Sequence, residues 1–250
     1  MQILLNSRFM ALNEFVQSLP DQFDTLPDAE VLHQGRNVVK MVEREGVRIV
    51  VKSYEHLSLV NRLLYGRVRH SKAVRAYRYA ERLLAMGIDT PKPIAVVDVR
   101  RRGVLHRSLF VSAYSDYESA AVINSYPAKT ETLQPLMDAL ARFIFRLHDA
   151  GVLHKDLNVT NILYKPATDG GYKFQLIDIN RMNFKSHLST NERIKNMRRL
   201  SCHPTAYAYI LEQYASQATT NEQTFQLRGL IARLLFEIRQ RIKSDVKMML

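Results

Sequence analysis

The stretch His154-Lys155-Asp156-Leu157-Asn158-Val159-Thr160-Asn161-Ile162-Leu163 constrains this chain more than any other. Just upstream, Leu133, Leu136, Met137, Leu140, Phe143, Ile144 and Leu147 recur at three- and four-residue steps. That spacing predicts a helix over Glu131–Ala150 with one buried face, stopped by Gly151. Downstream, Asp169-Gly170-Gly171 reads as a hairpin turn into a strand over Lys173–Asp178. The polar residues in between form a loop gripped by regular structure at both ends, able to present Asp156 and Asn161 into one cleft. Asp178 closes the apolar run Leu176-Ile177, 17 residues beyond Asn161. A carboxylate there is costly unless something satisfies its charge.

The first half of the chain reads differently. Val38–Val42 and Val47–Lys52 are β-branched runs on either side of Glu45-Gly46, which predicts an antiparallel hairpin. Ser58–Met86 has helical composition and ends at Gly87, and Ile94–Val99 and Leu105–Tyr114 read as two further strands. From Thr190 onward the pattern is three helices, divided near Pro204 and Ser216–Thr220. Strands with one helix, followed by helices with a small hairpin, predict an α+β chain in two lobes. The expected division is a β-rich N-lobe at 1–114 and a helical C-lobe at 115–250, joined near Ser112–Ala120.

Charge narrows the partner. The formal net charge is +12, and between Arg48 and Arg107 stand 14 Lys/Arg against 4 Asp/Glu, a net of +10. Such a segment predicts an anionic partner: nucleic acid, a phosphorylated substrate or an anionic membrane surface. Single charges on a solvated helix face are the alternative. One cysteine, Cys202, excludes an internal disulfide framework and fits a reducing compartment. Met1–Phe23 is polar and lacks the basic-then-apolar pattern of a secretory signal, and no run of ~18 apolar residues is present. A soluble or peripheral cytoplasmic protein is expected. His106, His148, His187 and His203 show no metal-ligand spacing.

The residue types in the loop suit phosphoryl transfer, where a protein chiefly positions groups and neutralises charge. Asp156 would meet an acceptor hydroxyl. Asn161 and Asp178 would hold a divalent metal against phosphate oxygens, and His154 would brace the loop. Lys52, ending the apolar run Val47–Val51, can reach nucleotide phosphates. Ahead of it, Gln34-Gly35-Arg36-Asn37-Val38 offers one glycine, backbone N–H groups and a guanidinium as a phosphate cradle; a plain β-turn is the other reading of Gly35. The expected cofactors are ATP and Mg²⁺.

These residues resemble the protein-kinase-like superfamily, whose catalytic loop H-x-D-L-x-x-x-N is matched at each fixed position. More narrowly, Val31–Leu200 is similar to the bacterial lipopolysaccharide core kinases, the Kdo and heptose kinase group. That narrower likeness rests on Gly35-Arg36-Asn37, on Gly87-Ile88-Asp89-Thr90-Pro91-Lys92-Pro93-Ile94-Ala95 and on Asp178-Ile179-Asn180-Arg181-Met182-Asn183-Phe184. The resemblance implies a bilobal kinase fold, Lys52 on the nucleotide, Asp156 on the acceptor, and Asn161 with Asp178 on Mg²⁺. It also implies a sugar acceptor on an anionic glycolipid, modified in the cytoplasm at the inner face of the membrane, with peripheral membrane contact and no nucleic acid.

Several positions depart from the superfamily pattern. Glu81, the one acid on the Ser71–Met86 helix, is the candidate partner of Lys52, although it comes late and Arg78 stands near the expected place. Ile179 and Asn180 replace Phe and Gly after Asp178, Asn180 being tolerant of left-handed geometry. Asn158 stands where protein kinases carry a lysine. Only 72 residues follow Asp178, with no Ala-Pro-Glu among them, which favours a small or sugar acceptor over a protein. Two other readings stay open: an atypical kinase or ATPase serving protein or tRNA-modification partners, and a nucleotide-binding pseudokinase without turnover.

Overall fold

The computed structural model of the chain describes residues 1–54, 70–218 and 221–249. They form two units, Met1–Asp116 with Asp178–Asn180, and Tyr117–Ile177 with Arg181–Leu250.

The first unit is built on an antiparallel sheet of β1 (Gln2–Leu5), β2 (Glu30–Gln34), β3 (Val38–Arg44), β4 (Val47–Ser53), β5 (Pro93–Arg101) and β6 (Val104–Ala113), in the order β1-β5-β6-β4-β3-β2. The expected β3–β4 hairpin turns at Glu45 and Gly46, both at positive φ (50° and 69°), the geometry that suits right-twisted strands. Side chains alternate between the two faces of a strand. Ile49 and Val51 therefore join one face with Val42, Ala95, Val97, Leu109 and Val111. Lys52 lies on the other, register-paired with Phe110, which in turn pairs with Val96.

A helix covers each face. α1 (Asn13–Gln22) packs Leu12, Val16 and Leu19 on the Ile49/Val51 face, and Phe23 and Leu26 extend that core beyond its end. Met1–Phe23 is thus not merely a polar lead. Its apolar residues at 12, 16, 19 and 23 keep helical spacing, and β1 pairs with β5. On the opposite face lies α2 (Lys72–Ala85), where Ala73 and Tyr77 meet Tyr54 and Val96. Ser71 caps α2 by accepting from the Val74 N–H at 3.1 Å. Gly87, at φ +71°, ends it, and Ile88 N–H donates back to Leu83 O. The stretch of the expected Ser58–Met86 helix up to residue 69 lies outside the described residues.

The second unit is mostly helical: α3 (Thr130–Asp149), α4 (Thr190–Met197), α5 (Pro204–Ala215) and α6 (Glu222–Met249). The α3 stripe is buried as expected, including Leu133, Leu140, Ile144 and Leu147. β9 (Ile162–Pro166) lies between β7 (Glu118–Ser119) and β10 (Tyr172–Leu176), and Phe143 of α3 stacks on Phe174 of β10 at 5.0 Å. A separate two-stranded ribbon joins β8 (Val152–His154) to β11 (Met182–Phe184). No helix among the described residues is long and apolar enough to cross a membrane.

Candidate active site

The second unit holds the loop after β8 by backbone bonds. Gly151 has φ +75°, and a Cβ there would come within 1.8 Å of Lys185 O, so no other L-residue fits without moving the chain. The close approach serves pairing, because Lys185 N–H donates to Gly151 O at 2.8 Å. β8 then delivers His154, fully buried. Its Nε2 donates to Ile177 O (3.0 Å) and its Nδ1 accepts from the Asp156 N–H (3.1 Å), which together fix the neutral Nε2–H tautomer. Asn158 Oδ1 accepts from Thr160 N–H, closing the turn that carries Asn161. That is a structural use for the residue standing in place of a kinase lysine.

Asn161 donates its Nδ2 to Asp156 O at 2.9 Å, and its own carbonyl accepts from Ile177 N–H at 3.0 Å. The donated amide hydrogen sets the side chain's orientation and leaves Oδ1 as an acceptor. Asp156 and Asn161 are thereby brought onto one short, braced segment. Beneath it runs a buried chain of polar groups that the sequence reading missed. Asn196 Nδ2 donates to His154 O (2.7 Å), His148 Nε2 donates to Asn196 Oδ1 (3.0 Å), and Tyr214 Oη donates to His148 Nδ1 (2.9 Å). Burial pushes the His148 pKa down to about 4, so the imidazole is neutral and each of these donors keeps its acceptor.

The first unit carries Lys52 and Asp178. Their side chains meet at 2.6 Å, Nζ to Oδ1, and Asn180 Nδ2 donates to the same oxygen at 2.8 Å. Both donors use Oδ1, and Oδ2 stays available as an acceptor. Asp178 itself has φ 53°, a left-handed conformation that costs a non-glycine residue energy and concentrates at functional sites. This corrects the reading of Asn180: the left-handed residue is Asp178, and Asn180 is instead buried as the amide that orients its carboxylate.

Glu81 stands apart from this pair. It is exposed, and its carboxylate accepts from the Tyr77 hydroxyl, whose pKa burial and that neighbour raise to about 12. The carboxylate partner of Lys52 in this structure is Asp178, because Glu81 falls on the solvent side of α2. The residue of α2 that does approach is Lys72. Tyr54 lies between two ammonium groups, Lys52 at 5.4 Å and Lys72 at 5.6 Å from its ring centre. Tyr54 Oη accepts from Asn180 Nδ2 at 3.4 Å, and burial together with the Asp178 charge keeps the phenol protonated.

Half-burial, then the charges of Arg36 and Arg75, pull the Lys72 pKa below its ordinary value. Arg36, Lys52 and Lys72 are thus gathered around the single carboxylate of Asp178. An excess of cations of this kind fits a polyphosphate. Gly35 and Arg36 lie exposed in the β2–β3 connection, where Gly35 N–H donates to Asn37 O at 3.2 Å, a turn with one glycine. Asn37 Oδ1 is buried without a hydrogen bond. Among the described residues, no three His, Cys, Asp or Glu side chains form a metal cage. The first unit thus offers one carboxylate, Asp178, and the second the amide oxygen of Asn161, donor types that suit a hard divalent cation holding few protein ligands.

Comparison with known proteins bears on this arrangement. The model of the lipopolysaccharide kinase (Kdo/WaaP) family matches residues 22–223. The chain belongs to this family. It is therefore a kinase, a sugar kinase of lipopolysaccharide core biosynthesis. A 3-deoxy-D-manno-octulosonic acid kinase of Haemophilus influenzae strain Rd is 27% identical over 178 residues, covering 67% of this chain and 71% of the relative. Among solved structures, WaaP in complex with acyl carrier protein superposes with a TM-score of 0.59 at 17% identity, over 97% of this chain and 99% of that one. An amicoumacin kinase in complex with AMP-PNP, Ca²⁺ and Ami gives a TM-score of 0.54 at 14% identity, over 90% and 89%. At those identities the likeness is one of fold. This lipopolysaccharide kinase has the expected α+β protein-kinase-like fold, β-rich in its first part and helical in its second.

Proposed function

We propose that this chain moves the terminal phosphate of ATP, with Mg²⁺, onto a sugar hydroxyl of the lipopolysaccharide core, in the Kdo region of the lipid A precursor. The observation that carries the reading is the Lys52–Asp178–Asn180 cluster on a strained Asp178, in a chain that also keeps a braced Asp156/Asn161 loop. Lys52 holds nucleotide phosphate oxygens, with Lys72 and Arg36 adding positive charge. Asp178 Oδ2 and Asn161 Oδ1 would hold Mg²⁺, which supplies charge neutralisation on the transferring phosphate. Asp156 orients the acceptor hydroxyl and accepts its proton as the new P–O bond forms and ADP leaves. Support for the Kdo acceptor comes from the Haemophilus influenzae relative, and the basic Arg48–Arg107 segment suits a phosphorylated glycolipid. Because ATP is the donor, the reaction belongs to the cytoplasmic side.

The test is transfer from labelled ATP to a panel of Kdo-bearing lipid A precursors, heptose-bearing cores, free sugars and a generic protein. Label is expected on the Kdo-bearing lipid and lost in Asp156→Ala. Labelling of protein alone, or of none of the panel, would overturn the reading.

A further inference from the structure

The last helix of the second unit is apolar on two opposite sides. One side is buried. Phe225 stacks on Tyr214 of α5 with ring centres 5.2 Å apart, Tyr207 Oη donates to Gly229 O at 3.2 Å, and Arg233 donates to the carbonyls of Leu200 and Cys202. These contacts hold the first half of α6 on the unit. The opposite side carries Leu227, Ile231, Leu234, Ile238, Ile242 and Val246, each between 44% and 61% exposed. At 100° per residue, with Leu230 and Leu235, they span an arc of roughly 160°. From Ile238 to Val246 every residue is exposed.

The charges on this helix are of one dominant sign. From Arg228 to Lys247 the helix carries six Lys/Arg and two Asp/Glu. One of the acids, Glu237, is already paired with Arg233; by the same 100° spacing Arg228 and Arg239 edge the stripe on one side and Arg241 on the other, and the second acid, Asp245, falls within it. Arg239 belongs to a larger cluster with Arg198 and Arg199 of the α4 end, whose guanidiniums both lie 5.3 Å from the Phe236 ring. The crowding is electrostatic in effect, since burial and the Arg199 and Arg239 charges lower the Arg198 pKa.

We propose that the exposed face of α6 lies on an anionic lipid surface, with its apolar stripe in the headgroup boundary and its flanking cations on lipid phosphates. A broad apolar arc edged by arginines on a helix too polar to span a bilayer is the pattern of interfacial helices. A second copy of the chain is a poorer occupant. The stripe advances by four residues from Leu234 through Ile238 and Ile242 to Val246, drifting off a heptad seam, and a two-fold pairing would bring like cations together. The surface goes beyond the acceptor proposed above and stands if that acceptor is wrong.

The full chain is tested by flotation with vesicles of phosphatidylcholine alone or with one-third phosphatidylglycerol. Binding is expected to the mixed vesicles, weakening with salt. The double variant Ile231→Glu/Leu234→Glu is expected to lower it at least tenfold with an unchanged melting temperature. Arg239→Glu/Arg241→Glu, which leaves the apolar stripe intact, is expected to lower it and flatten the salt dependence; it also keeps the test decisive if the first variant misfolds. Equal binding to neutral vesicles, or binding that neither variant changes, would overturn the proposal. So would a dimer in sedimentation that Ile231→Glu/Leu234→Glu dissolves, or retention of an acidic helical protein on this face without vesicle binding.

Discussion

Lys52 Nζ and Asp178 Oδ1, 126 residues apart in the chain, lie 2.6 Å from one another, and Asn180 shares that oxygen. The ion pair ties the strand-end lysine to a carboxylate held in left-handed backbone geometry. Replacing Lys52 by Met should cut phosphate transfer by ~10²-fold or more, because a positioned cation on phosphate oxygens is lost. The melting temperature should move by no more than about 3 °C, the pair being partly exposed and Asp178 keeping its Asn180 bond. Steady-state assays beside thermal melts check both halves. A variant that melted far lower with normal turnover would make the pair structural.

His154 and Asn161 hold the Asp156 backbone, which leaves its side chain for the role of base proposed above. Asp156→Asn should therefore leave nucleotide binding near normal while transfer falls by ~10²–10⁴-fold, the range for removal of a general base. Calorimetric titration with Mg-ATP, run beside single-turnover transfer, separates the two effects.

Lys72 brings a second ammonium group of α2 to the Tyr54 ring beside Lys52. Lys72→Met should weaken nucleotide binding about tenfold, measured by titration with a fluorescent nucleotide, and the loss should shrink at high salt. Tighter binding in the variant would mean that Lys72 repels the ligand rather than holding it.

Gly151→Ala introduces a Cβ that meets Lys185 O at 1.8 Å and forces a +75° φ on an L-residue. The expected cost is ~2 kcal/mol or more, read from chemical denaturation, with transfer lost as the β8–β11 ribbon shifts.

His148 makes stability depend on pH. Its folded pKa, pushed down to about 4 by burial, lies below the ordinary 6.5. As pH falls below about 6.5 the unfolded chain takes up a proton that the folded chain refuses, so stability, complete above that pH, is lost down to about pH 4. The loss is on the order of 3 kcal/mol. Urea unfolding at steps from pH 7.5 to 4 should show this slope, and His148→Gln should flatten it.

The local settings of Asp156, Asn161, Asp178 and Lys52 were legible because they are written beside them. A helix stop and a hairpin frame the loop, and an apolar run ends at each of Asp178 and Lys52. Glu81 was not, since an acid on a helix does not state which way it faces. Its position late in α2 turns it to solvent beside Tyr77 and leaves Lys72 on the inner side. Asn180 was legible as a residue but not in its role, because its bond to Asp178 depends on a backbone turn two residues back.

The sequence by itself determined the β3–β4 hairpin, the buried stripe of α3 and the motif that names the chemistry, since periodicity and turn residues act over a few neighbours. Only the tertiary structure decided the partners, Asp178 for Lys52 and Asn196 and Tyr214 for the buried His148, and left the outer face of α6 exposed. Those choices depend on charge and burial summed over segments far apart in the chain, a sum that no local window contains.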